Sequence, residues 1–181
     1  MAERRDVIRN HNAIWRAYLD LAYEKHSSHI TVKDILQKAD ISRGTFYAHY
    51  RSIDDLQKQI EDEILQMIER ICEEPLKHIF TQPQRSIRNI LLAFQKNRKL
   101  IEAATGYKED SSFFNKYRHD LITDIQTLLI KTYDPEDAWI LSFSIASILS
   151  DHAEAVVLNK EQADIDSISK IVSRLIPRKR V

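Results

Sequence analysis

Residues 30–50 read ITVKDILQKADISRGTFYAHY, and two short helices joined by a tight turn account for the whole run. Thr31 is placed to cap the first helix, with Asp34 three residues on as an approximate capping box. Val32, Ile35, Leu36 and Ala39 recur at spacings of three and four, which puts them on one inward face. Asp40 occupies the turn, where Asp tolerates a left-handed backbone better than most residues do. Ile41 is expected to plug the core, and Ser42 to cap a second helix running through Tyr50.

The second helix sorts its residues by face. Ile41, Phe46 and Tyr50 point inward, while Arg43 and Tyr47 share the outer side with Gly44, Thr45, Ala48 and His49. That outer side is short and small except for one guanidinium, one phenol and one imidazole, which suits a major groove. Arg reads guanine bidentately, and hydroxyls and backbone amides reach phosphates. Gly44 weakens a helix by about 1 kcal/mol relative to Ala, a cost that close approach to a DNA backbone would explain. The pattern is a helix-turn-helix.

The run from Ile30 to Leu56 resembles the DNA-binding motif of the TetR family of bacterial transcriptional regulators, TetR/AcrR-like proteins. Residues 41–56, ISRGTFYAHYRSIDDL, follow that family's order of Ser, a small or basic pair, Thr, an apolar residue, Tyr, any residue, His and an aromatic. An acidic-Leu helix start then follows. The resemblance implies that Arg43 and Thr45 face bases, that Thr31, Tyr47 and His49 lean on phosphates, and that Tyr50 is core. With Lys33, Ser42 and Gly44 these form the expected DNA-contacting set. His26 and Asp40 stand where the family often has Gly, and Ile53 where a phosphate-contacting Lys is common. The resemblance further implies an all-α fold of about nine helices. Residues 1–51 would form a three-helix DNA-binding domain, and residues 52–181 an effector-binding and dimerisation domain.

Composition agrees with helices. Two glycines and four prolines in 181 residues disfavour turn-rich β architecture. The net charge of zero hides an asymmetry: through Arg51 there are nine Lys/Arg against six Asp/Glu, and the remainder carries a matching acidic surplus. The single Cys72 permits no internal disulfide and fits a reducing cytosol. No leader and no run of eighteen apolar residues is apparent, so a soluble, cytoplasmic protein without a membrane partner is expected.

Along the chain, Arg4 to Lys25 reads as a first helix with Val7, Ile14, Trp15, Tyr18, Leu21 and Ala22 inward. Arg4, Arg5, Arg9 and Arg16 form a basic face, solvated or lying near phosphates. A helix from Ser52 to about Glu74, stopped by Pro75, carries a stripe of Ile53, Leu56, Ile60, Ile64, Met67 and Ile71. It is the expected mechanical link whose movement changes the separation of two heads in a dimer. Ser86 to Ala104 is expected in two pieces broken near Asn97 and closed by Gly106, followed by a helix from Asp110 or Ser111 to about Thr132. Asp134-Pro135-Glu136-Asp137 starts the next, running to about Asn159, and Asp164 to Ile176 the last, before the basic tail 178–180.

An enzyme is not expected. Gly44 and Gly106 make no phosphate-cradling loop, and Cys72 with His78 would act together only if folded together. Glu73-Glu74 reads as a solvated helix end; His26, His29, His119 and His152 show no metal-ligand spacing, and neither metal nor cofactor is expected. The aromatics Phe94, Tyr107, Phe113, Phe114, Tyr117, Trp139 and Phe143 fall on segments that surround an effector cavity in TetR-like proteins. All but Phe113 form the expected ligand-binding set for an unknown small molecule, and plain core is the competing reading. The small-residue stretch Ser142–Ser150 allows close helix packing, with Ile145, Ile148, Leu149, Val156 and Val157 pairing with Ile165, Ile168, Ile171, Val172 and Leu175 in a four-helix bundle across a two-fold axis; packing within the chain is the competing reading. The expected protein is therefore a homodimeric repressor on a palindromic operator of double-stranded DNA, released by an effector. The rivals are an activator, or a helical adaptor of the same fold that acts through a protein partner.

Overall fold

The computed structural model describes residues 2–24, 29–105, 112–158 and 164–177, and every regular element among them is a helix. In chain order these are α1 (Ala2–Glu24), α2 (Val32–Ala39), α3 (Arg43–His49), α4 (Ile53–Lys77) and α5 (Pro83–Lys96). Then come α6 (Arg98–Thr105), α7 (Ser112–Leu129), α8 (Pro135–Val157) and α9 (Ile165–Val172). Contacts divide the chain into two compact units. The head is Met1–Ile64 with Lys99–Glu109; the body is Leu65–Arg98 with Asp110–Val181.

In the head, α1 packs against α2 and α3. Ile14, Tyr18, Leu21 and Ala22 are buried as their spacing requires, but Val7 is exposed. The first turns of α4 belong to this unit because Leu56, Ile60 and Ile64 are buried. The Gln57 side chain donates to the Ala104 carbonyl at 3.2 Å, tying in the end of α6. The head thus extends past Arg51, the edge of its motif, for a physical reason: α2 and α3, of eight and seven residues, bury too little apolar surface against α1 alone.

Two boundary expectations need correction. Pro75 does not stop α4, which continues to Lys77 with the proline inside it. The missing N–H falls in the last turn, where one bond is lost, while Leu76 and Ile79 beyond it gain burial. The inward stripe also drifts, as a 3.6-residue period demands: Ile68, Cys72 and Leu76 are core, and Ile71 is exposed. The break near Asn97 is present, with the Asn97 side-chain Nδ2 donating to the Ala93 carbonyl at 2.8 Å. Gly106, Asp110, Ser111, Asn159 and the tail 178–180 lie outside the described residues.

In the body, α5 packs on α8 and α9, and α7 runs along α8. Asp134 caps α8 by accepting from the amides of Glu136 at 3.0 Å and Asp137 at 3.1 Å, with Pro135 in the first turn. Ala138, Ser142, Ala146, Ser150 and Ala153 are buried, so the small residues of α8 serve close packing inside the chain. The Ser150 hydroxyl donates to the Phe114 carbonyl of α7 at 3.2 Å. Asp164 caps α9 through the Ser167 amide at 2.9 Å; the helix ends at Val172, and turns carry the chain to buried Ile176. By length and composition α8 is apolar enough to cross a bilayer, with mean hydropathy 1.4 over its best window. The core helix of a soluble protein passes the same test, and α8 has the neighbours of one.

Candidate nucleic-acid interface and body cleft

Local chemistry builds the turn between α2 and α3. The Thr31 amide and hydroxyl both donate to the Asp34 carboxylate at 2.8 Å, and the Asp34 amide donates back to the Thr31 hydroxyl at 3.3 Å. The capping box is therefore complete. Asp40 sits at φ 51°, ψ 53°, the one non-glycine with positive φ among the described residues. Its amide and that of Ile41 both donate to the Leu36 carbonyl, closing α2. Ser42 then caps α3 by accepting from the Thr45 amide at 3.0 Å. Phe46 and Tyr50 are fully buried with ring centroids 5.8 Å apart, fixing α3 to the head core. Ile41, expected as a core plug, is only half-buried because the turn lifts it toward solvent.

These constraints leave one face of α3 bare. Ser42, Arg43, Gly44, Tyr47 and Ala48 are exposed, and neither the Arg43 guanidinium nor the Tyr47 hydroxyl bonds to any described residue. A Cβ added at Gly44 would meet only the Ser42 hydroxyl, at an ordinary 3.7 Å, so nothing inside the chain requires glycine there. Lys33 is exposed at the start of α2, and His49 is half-buried beside Tyr50. Thr45 is half-buried, with its hydroxyl bonded to that of Ser42 at 2.9 Å, so its methyl is what remains to meet a base. The Thr31 hydroxyl hydrogen is already given to Asp34, which makes Thr31 a cap first and a phosphate neighbour second.

At the end of the motif, the Arg51 amide donates to Asp55 at 2.8 Å and the Asp55 amide to Ser52 at 3.1 Å. The backbone bond from Arg51 and the Gln59 side chain hold the Asp55 carboxyl below the usual range. Ile53 is half-buried in the first turn of α4 and offers no cation. Arg51 beside it is exposed, a basic group at the motif's edge that residue-type matching passes over. His26, Arg4 and Arg5 lie outside the residues whose side chains are described.

The expected ligand set does not share one place. Phe94, Phe114 and Tyr117 are buried together, with Phe94 4.8 Å from Tyr117 and 6.2 Å from Phe114 between ring centroids. Trp139 and Phe143 instead stack on each other at 5.7 Å on an exposed face of α8, 52% and 47% accessible. Tyr107 lies outside the described residues. A cavity of about 590 Å³ opens in the body, lined by the second half of α4 and by α7, and of the expected residues only Tyr117 reaches it. Its floor is Cys72, Leu76, Tyr117 and Leu121; its walls carry Glu69, Glu73, Asp120 and Asp124. Glu73 reads in the sequence only as part of a solvated helix end, and the grouping of the four acids is not legible there because they come from helices some fifty residues apart. Their signature is the four-residue spacing of Glu69/Glu73 and of Asp120/Asp124.

The expected interface residues are placed unequally. Ile145, Leu149, Ile168 and Val172 are buried inside the chain, Ile148 and Val156 are half-buried, and Leu175 is exposed. Residues already in the core cannot also meet a partner without unpacking. Cys72 and His78 do not meet as nucleophile and base. His78 bonds Glu74 at 3.3 Å, and burial pushes the Cys72 thiol up to about 12, which keeps it a neutral packing group.

No model of a known protein family matches the chain. It is 39% identical over 77 residues to YxbF, an uncharacterized HTH-type transcriptional regulator of Bacillus subtilis strain 168. That stretch is 41% of this chain and 18% of the relative's own length. A TetR transcriptional regulator from Streptococcus agalactiae superposes with a TM-score of 0.63 at 25% identity, covering 98% of this chain and 99% of that one. A TetR/AcrR-family transcriptional regulator from Aquifex aeolicus superposes with a TM-score of 0.63 at 22% identity over 91% and 96%. The chain thus has the fold of TetR-family transcriptional regulators, and the helix-turn-helix at its head resembles theirs in sequence.

Proposed function

We propose that the chain represses transcription as a homodimer, in the cytoplasm, by seating α3 of each subunit in successive major grooves of a palindromic operator, and that a small molecule bound in the body releases it. The observation that carries this is the bare face of α3, where Arg43 and Gly44 have no duty inside the chain and Tyr47, whose ring edge meets Phe46, leaves its hydroxyl free of the described residues. A helix of seven residues is about 10 Å long and covers few base pairs. Two such helices about 34 Å apart read a palindrome with useful affinity. The proteins this chain resembles are regulators rather than enzymes, and no catalytic step is assigned.

The test is selection of bound fragments from random duplex DNA with the purified protein. A two-fold symmetric site with half-sites one helical turn apart is expected, bound with a steep salt dependence. Retrieval of no duplex at low salt would point to the adaptor reading instead. Tyr47→Phe should weaken the selected site and unrelated duplexes by the same factor, about 1 kcal/mol per head, as loss of a phosphate contact does. Anisotropy titration on both duplexes checks this, and a loss confined to the selected site refutes the phosphate role.

Dimerisation is assigned to the apolar residues that α8 and α9 leave exposed: Trp139, Ile140 and Phe143 on one, and Ile171 with nearby Leu175 on or after the other. Ile171 and Leu175 are 60% and 65% accessible, values that large aliphatic side chains in such company rarely keep in water. Phe143→Glu with Leu175→Glu should halve the mass in light scattering at micromolar concentration while leaving the helical content unchanged. Operator affinity should fall at least a hundredfold with it, since one head then acts alone.

A further inference from the structure

We infer that α3 reads one base of each half-site by its methyl group: Gly44, Ala48 and the Thr45 methyl form a shallow apolar slot that takes the C5 methyl of a thymine. This rests on the reading above that α3 enters the major groove. It adds the kind of base edge that the helix selects.

Seen down its axis, α3 has an outer side of two chemistries. A helix turns by about 100° per residue, so with Arg43 at zero Tyr47 lies at about 40°, Gly44 at about 100°, Ala48 at about 140° and Thr45 at about 200°. The first four are exposed, and Thr45 at the edge is half-buried. Further round come His49, half-buried, and Phe46, fully buried. The guanidinium and the phenol thus crowd one edge of the exposed side, and the other edge carries no charge.

That apolar edge is built from very little. Gly44 has no side chain, and Ala48 has one methyl. Thr45 carries its only side-chain polar atom, and that hydroxyl is bonded to the Ser42 hydroxyl at 2.9 Å. The Thr45 amide donates to the same Ser42 oxygen at 3.0 Å. The hydroxyl bond fixes the Thr45 rotamer, and its methyl is the group left over. Space is left there too. A Cβ on Gly44 would stand 3.7 Å from Ser42 Oγ, an ordinary contact, and would meet nothing else of the chain. Alanine would also favour the helix. The glycine therefore keeps open a space that the fold does not fill and that stability alone would close.

Of the groups displayed in a major groove, the acceptors and amino donors reward a polar partner, and only the thymine C5 methyl rewards an apolar one. A phosphate oxygen gains nothing from methyl groups either. Arg43 and Ala48 are five residues apart. That is about 7.5 Å along the helix axis, or about two base steps of about 3.4 Å. The thymine accordingly belongs within about two steps of the guanine that Arg43 reads.

The experiment uses the full chain and its selected operator, with each thymine replaced in turn, symmetrically in both half-sites, by deoxyuridine. Uracil pairs as thymine does and lacks only the methyl. One symmetric pair of replacements is expected to weaken binding about fifteenfold, or about fourfold per half-site, the share of one buried methyl. With cytosine at that position, adding the methyl back as 5-methylcytosine should tighten binding by about the same factor. Thr45→Ser keeps the hydroxyl that bonds Ser42 and removes the methyl, and Ala48→Gly removes the other. In each variant the preference for thymine over uracil should shrink to about fourfold or less. Gly44→Ala fills the slot from the protein side. It should raise the thermal midpoint yet bind the uracil operator at least as tightly as the thymine one, whereas a purely structural glycine would weaken both by one factor. An operator with no thymine within about two steps of the guanine, or one whose thymines all lose their methyl at a cost below about twofold, overturns the slot and leaves the groove reading intact. Thymine preference undiminished in all three variants places the methyl contact elsewhere and overturns the assignment. A chain that retrieves no duplex overturns the groove reading and this inference together.

Discussion

Arg43→Ala should weaken binding to the selected operator by about 2–6 kcal/mol for the dimer, about 30-fold to 10⁴-fold. A bidentate Arg–guanine contact contributes about 1–3 kcal/mol at each head. Arg43 opens α3, is exposed, and makes no bond to the described residues that its loss could disturb. The folded protein should therefore keep its unfolding midpoint within about 0.5 kcal/mol. Anisotropy titration at one salt concentration, on the operator and on a scrambled duplex, separates the possibilities. Loss on the operator alone marks a base contact at one position of each half-site. Equal loss on both marks a phosphate contact, and no loss on either removes α3 from the groove.

Phe46→Ala acts through the fold and should destabilise the head by about 3–5 kcal/mol, the usual cost of emptying a core aromatic site. Phe46 is 0% accessible and meets Tyr50 and Tyr47 at 5.8 and 5.4 Å between ring centroids. Helix α3 has seven residues and is too short to hold itself without tertiary packing. A loss of this size is a large share of a typical domain's stability of about 5–15 kcal/mol. Urea unfolding followed by circular dichroism should show an early transition in the variant. Operator binding should vanish within the concentration range where that transition occurs. Retention of full affinity and of a single wild-type transition would mean that α3 is positioned by something other than this ring.

The head was legible in the sequence because its instructions are local. Thr31 with Asp34, left-handed Asp40 and Ser42 with Thr45 each act within three or four residues, and each bond is present where the residue types place it. The Asn97 break and the Asp134-Pro135 start are local in the same way. The body was less legible because α8 is apolar on most of its circumference, so periodicity gives little contrast between core and surface. Ile145 and Leu149 look no more buried in sequence than Trp139 and Phe143 do, yet the first pair is core and the second exposed. Small residues decide which way the helix turns: Ala138, Ser142, Ala146 and Ser150 form the side that can approach α7 closely. The cleft acids were hidden because a pairing of α4 with α7 is a tertiary fact. Pro75 was misleading because a proline in a final turn costs one hydrogen bond rather than a whole helix.

The bare tryptophan, isoleucine and phenylalanine of α8 have a consequence for how much of this protein a cell can leave unassembled. On the proposed dimer, a subunit carrying them alone in water is a sticky species, and the folded and the associated states become thermodynamically one problem. Thermal midpoints should then climb with protein concentration, and dilution alone should act as a denaturant. Synthesis rate would set occupancy on DNA twice over, once through the number of chains and again through the square-law dependence of assembly on that number.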